Sequence, residues 1–191
     1  GLAGYGVMPL VLGDLKPDYV DLIEAMGGQI ITLGRGRGYL NVLDPGEATE
    51  AAARLRDAGH EKEAMQVMAD AHGRRQTMVS ALLTILRAAP PTDREETIID
   101  RSLKWLDEHH DGVPVLGDLL RVIQEGPEEV RAVALDRGSD ERYKAITESL
   151  EASLIGLTGG GRLGETFSRQ TTNPMRRDAP VVYDVSAIDD S

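Results

Sequence analysis

The chain has 191 residues, of which 41% are apolar and 28% charged, with a formal charge of -11 at pH 7 and no cysteine. That apolar share is enough to build a core and argues against a disordered tail, while the missing cysteines exclude disulfides, thiolate metal sites and cysteine nucleophiles. The acidic balance provides no general field for a phosphate backbone; strong direct nucleic-acid binding is not expected, and only Arg35 with Arg37, Arg74 with Arg75 and Arg176 with Arg177 offer local basic spots. No apolar run approaches the roughly 20 residues that a membrane-spanning helix needs, so any membrane contact is expected to be indirect. Trp105 and Phe167 are the only Trp and Phe. The core must therefore be aliphatic, which favours helices.

Residues 7 to 12 form a continuous apolar run closed by Gly13 and Asp14, the pattern of a buried strand, with Pro9 as its weak point. Pro17 suits the first turn of a helix, whose apolar face is Tyr19, Val20, Leu22, Ile23 and Met26 and whose stop is Gly27 with Gly28. A second strand is expected over residues 29 to 33, and strand, helix and strand in so few residues read as a βαβ unit with parallel pairing. Residues 34 to 46 form a glycine-rich loop.

From Glu47 to Leu157 the period becomes helical. Ala64, Met65, Met68, Ala71, Met78, Leu82 and Leu86 predict one long amphipathic helix, or two broken near Gly73. Pro90 and Pro91 end it, and Thr92 with Glu95 offers a capping box for a helix carrying Ile98, Ile99, Leu103 and Leu106. Further helices are expected at 116–124, 127–136 and 139–156, then a glycine-rich turn at 158–164, then a strand from Val181 to Val185. The expected fold class is α/β: a partial parallel sheet with a large helical insertion, divided as 1–46, 47–157 and 158–191.

Gly159, Gly164 and Thr166 have the spacing of a phosphate-binding loop, but Glu165 occupies the lysine position, where a carboxylate would repel phosphates. A turn is the better reading. His109, His110 and Asp111 are adjacent, so on a helix they diverge by about 100° and fail to converge on one metal; a solvated helix end is expected. His60 and His72 have no partner that spacing can name. Asp14, Lys16, Asp18 and Tyr19 follow the first strand, where α/β proteins place ligand-binding groups. Asp14 and Asp18 are the candidate catalytic residues, with helix capping as the alternative.

These last residues resemble the Asp-x-Lys-Gly-Glu-Tyr element of the conjugative and type IV secretion ATPases of the VirB4 and TraC type, with Pro17 in place of the glycine and Asp18 in place of the glutamate. Gly27 with Gly28, the strand after them, and Asn41, Leu43 and Asp44 are similar to that family's Gly-Gly, strand and Asn-Pro-Leu-Asp run, with Val42 in place of the proline. Pro114, Leu116, Asp118 and Leu119 resemble its Pro-Thr-Leu-Ser-Asp-Leu helix start. Gly164, Phe167 and Thr171 or Thr172 resemble its Gly-x-x-x-x-Phe turn followed by a threonine, and Val181 to Ile188 with Asp184 its strand before Walker B.

The resemblance implies a segment between the Walker A lysine, upstream, and the Walker B acidic pair, downstream, with RecA-like strands and a helical insertion. It implies ATP and Mg2+ as cofactors of the whole protein, with the nucleotide-binding loop outside this chain. It also implies a hexamer, partners among the secretion-channel subunits, and a place at the cytoplasmic face of the cell membrane. Asp14 and Asp18 then become acidic residues near the nucleotide, and no metal ligand is assigned within the chain. This segment alone is expected to be inactive. A helical docking module without chemistry is the alternative function, and a nucleotide-independent enzyme using Asp14 and Asp18 as acid and base is a third.

Overall fold

The computed structural model describes residues 10–11, 17–32, 38–134, 140–172 and 181–184. Among these residues, three short strands and eight helices occur in the order β1 (Leu10–Val11), α1 (Pro17–Ala25), β2 (Gln29–Thr32), α2 (Ala48–Asp57), α3 (Glu61–Arg87), α4 (Asp93–His109), α5 (Leu116–Glu125), α6 (Glu128–Ala134), α7 (Asp140–Thr158), α8 (Arg162–Phe167) and β3 (Val181–Asp184).

The α/β expectation is corrected: this is a helical protein. The described apolar core comes from α3 to α8 and from the loop residues Leu40, Val42 and Leu43. Among the described residues, strand structure covers two, four and four residues. The three segments pair in parallel in the order β1, β3, β2, with Leu10 opposite Tyr183 and Gln29 opposite Val181. They do not amount to the partial RecA-like sheet expected as the organising layer. The physical reason is that the aliphatic side chains of α3 to α8 pack on one another, so helix packing organises the described core.

α1 ends in a Schellman arrangement: Gly27 is left-handed at φ +73, its N–H donates to Glu24, and the Gly28 N–H reaches Ile23. α3 runs unbroken for 27 residues, about 40 Å at 1.5 Å per residue. Gly73 does not break it, because the buried positions Ala64, Ala71, Met78, Val79, Leu82 and Leu83 keep one face packed through that turn. Past Arg87 the chain turns at Ala88, a non-glycine residue at φ 58. Thr92 and Glu95 then form the reciprocal capping box at the start of α4.

Charged groups hold the seam between α3 and α4. The buried Arg75 makes a bidentate pair with Asp107 at 2.9 and 2.7 Å, so it adds nothing to a surface basic spot. Arg87 pairs in the same way with the buried Glu95 and also donates to Ser153 of α7, which ties three helices together. The hydrogen bond from Arg87 is the main reason that the Glu95 carboxyl titrates below its ordinary range; burial opposes the shift, and the Thr92 N–H adds to it. Arg35, Arg37, Arg176 and Arg177 lie outside the described residues. Among the described residues no helix is long and apolar enough to cross a membrane.

Candidate functional site

The residues most concentrated in polar chemistry lie where the chain enters and leaves the helical core, around Asn41. Its neighbours Leu40, Val42 and Leu43 are buried, which draws Asn41 in with them until it is only 1% exposed. A buried amide must be hydrogen-bonded. Asn41 Nδ2 donates to the Pro114 carbonyl at 2.8 Å and to Gln170 Oε1 at 3.1 Å, and Oδ1 accepts the Leu43 N–H at 3.1 Å. The Asn41 backbone N–H donates to Thr171 Oγ1 at 2.9 Å.

Around this anchor the two chain segments run together. The Tyr39 N–H donates to Thr172 Oγ1, the Thr172 N–H donates back to the Tyr39 carbonyl, and the Leu40 N–H donates to the Thr166 carbonyl. Gln170 Nε2 reaches the Val113 carbonyl at 2.8 Å, which adds the α4–α5 connection to the clasp. Arg169 sits 4.8 Å from the centre of the Tyr39 ring and donates to its hydroxyl.

Each nearby element has a local cause. Asp44 Oδ1 accepts the Gly46 N–H, an Asx turn that follows the one made by Asn41. Asp118 accepts the Val115 N–H and so caps α5, whose Leu116 and Leu119 are fully buried. Gly164 is required by close approach: a Cβ there would overlap the backbone of Gly159, whose carbonyl carbon and nitrogen would lie at 2.9 and 3.2 Å. That contact folds α8 back on α7 and sends Phe167 into the core.

The segment with phosphate-loop spacing is therefore a bend at 159–161 followed by α8, with Thr166 buried and Glu165 exposed. The expected turn reached Gly164, whereas helix resumes at Arg162.

Of the two candidate catalytic residues, Asp14 lies outside the described residues, and Asp18 is exposed in the first turn of α1, where a carboxylate complements the helix dipole. His109 and His110 diverge: His109 stacks on Trp105 at 4.2 Å and donates to its carbonyl, whereas His110 lies 3.4 Å from Asp118. His60 lies 3.2 Å from Glu63, and His72 donates to Asp100 at 2.6 Å across the α3–α4 seam. Among the described residues no three His, Cys, Asp or Glu side chains converge as a metal site.

Tyr39, Val113, Arg169 and Gln170 carry the clasp but were not legible in the sequence. Their partners lie 57 to 133 residues away. The one available signal was a lone Asn between Leu40 and Val42, an amide that must find partners if its neighbours are buried.

The clasp joins the set Asn41, Leu43 and Asp44 to the set Pro114, Leu116 and Asp118 through the Pro114 carbonyl, and to the set Gly164, Phe167, Thr171 and Thr172 through its two threonines. These are the three sets of positions in the helical part that resemble motifs of the conjugative ATPases. At these positions the described hydrogen bonds make turns, a helix cap and links between segments. Comparison with protein-family models, with curated proteins and with solved structures finds no match to this chain.

Proposed function

We propose that the chain is the middle segment of an ATP-hydrolysing motor or assembly ATPase of the conjugative and type IV secretion class. One observation carries the proposal: three motif-like sets, far apart in sequence, meet around Asn41 through Pro114 and Thr171. Each of these bonds joins one side chain to one backbone group, so the Asn41 amide and the Thr171 hydroxyl together hold three distant segments side by side.

On this reading the phosphate-binding lysine and the metal-holding acids come from flanking sequence. ATP and Mg2+ are bound by the whole protein, and Asp14 and Asp18 contribute negative charge near the nucleotide. The segment itself contributes the helical unit and its clasp. The whole protein works as a hexamer at the cytoplasmic face of the membrane, against channel subunits, with contact to the membrane only through them.

The test is to sequence the native gene on both sides of this segment. A glycine-rich loop ending in Lys-Thr or Lys-Ser upstream, with an apolar strand ending in acidic residues downstream, supports the proposal. Flanks that lack both refute it.

A docking role without chemistry is favoured by one separate feature, the apolar side chains Leu86 and Ile155, 37% and 51% exposed where α3 meets α7. Nucleotide binding by the full-length protein separates the two readings.

A further inference from the structure

The clasp has two kinds of bond. Leu163, Thr166 and Phe167 on one side and Leu40, Val42 and Leu43 on the other are buried. The stretch that follows α8 is different: Arg169, Gln170 and Thr172 are exposed, Thr171 is half-buried, and none of the four offers an apolar side chain to the core. What holds this stretch is polar. Arg169 lies on Tyr39, Gln170 bridges Asn41 and Val113, Thr171 accepts the Asn41 N–H, and Thr172 exchanges two hydrogen bonds with the Tyr39 backbone.

Along the facing segment the N–H groups divide in the same way. Those of Tyr39 and Asn41 point to the stretch 169–172, whereas that of Leu40 points to α8 and that of Leu43 to the Asn41 side chain.

Local opening follows the number of buried apolar contacts, and polar bonds at the surface are readily exchanged for bonds to water. We infer that Arg169–Thr172 is a strap that detaches as one unit while the helical core stays folded. Asn41 Nδ2 keeps its bond to the Pro114 carbonyl when the strap leaves, so the anchor outlasts the opening. The strap lies on the path from α8 to β3. The inference uses only the clasp geometry and stands or falls independently of the ATPase reading.

Native-state amide hydrogen exchange by NMR on the chain as it stands tests it. The N–H groups of Tyr39, Asn41 and Thr172 lose their partners together when the strap opens, and those of Leu40 and Leu43 keep theirs. The expected result is one shared protection factor for Tyr39, Asn41 and Thr172, at least about tenfold below those of Leu40 and Leu43. Gln170→Ala removes no bond to any of these amides, yet it is expected to raise exchange at all three by about tenfold and to leave Leu40, Leu43 and the α3–α4 core unchanged.

Equal protection at all five amides would overturn the strap, since opening would then require the core. So would three unrelated protection factors, or no protection at Tyr39, Asn41 and Thr172. Gln170→Ala acting on none of the three would overturn it as well.

Discussion

Asn41→Ala is the perturbation with the clearest expected magnitude. Truncation removes the side-chain bonds to the Pro114 carbonyl and the Leu43 N–H, both in buried surroundings, and the part-buried bond to Gln170. A buried group left without its partner costs about 1–3 kcal/mol, and two are left here, so the expected loss is about 3–5 kcal/mol once the Gln170 bond is included. Thr171→Val removes a single acceptor, for the Asn41 N–H, and should cost about 1 kcal/mol. Urea titration followed by far-ultraviolet circular dichroism and by Trp105 fluorescence measures both. The midpoint should fall with an unchanged slope, because the surface exposed on unfolding is the same. A loss below about 1 kcal/mol for Asn41→Ala, or one no larger than that of Thr171→Val, would show that the clasp is not anchored on this side chain.

Gly126 has φ +59, and a Cβ there would lie 2.8 Å from the Tyr143 ring, whereas Gly112 at φ +74 has open space around it. Gly126→Ala should therefore cost about 2–4 kcal/mol and Gly112→Ala about 1 kcal/mol in the same titration; equal costs would refute the steric reasoning. Ala88 occupies the left-handed region at the end of α3, so Ala88→Gly should raise stability, by up to about 1 kcal/mol, and a destabilised variant would contradict this. Glu95 has a folded pKa below its usual 4.5, so its pairing with Arg87 stabilises fully above that pH and is lost as pH falls through the folded value. Glu95→Gln should flatten the stability curve in this acid window, and an unchanged curve would remove Glu95 from the account. Tyr143 is pushed up to about 12 by burial, opposed by Arg131, so its stabilisation is complete below its ordinary value of 10.0 and is lost between there and about pH 12. Tyr143→Phe should abolish that alkaline loss; if the loss persists, another group is responsible.

How far the fold was legible follows from the range of the forces involved. The capping box of Thr92 and Glu95 was readable because both partners lie within three residues, and the stop at Gly27 and Gly28 because positive φ selects glycine. The continuity of α3 through Gly73 was not readable, since the cost of one helical glycine, about 1 kcal/mol, is outweighed by packing that spacing alone cannot weigh. The sheet was overread because local strand signals, although strands are described at each of the three places, do not reveal that the described core is built by the helices between them. At the clasp, Asn41 and Thr171 were noticed through a resemblance, but their meeting across 130 residues was invisible in the chain. Asp18 was noticed for its place after the first expected strand, and the structure shows it exposed in the first turn of α1.

The central claim, that this segment belongs to an ATPase whose phosphate-binding parts lie in flanking sequence, is tested most directly by Mg2+-dependent ATP turnover. The full-length product of the native gene and this segment alone should be assayed side by side. Turnover by the full-length protein, abolished by chelating the metal and absent from the segment, is the predicted result. No turnover and no nucleotide binding by the full-length protein would contradict the claim, and equal turnover by the segment alone would contradict the placement of the catalytic parts outside it.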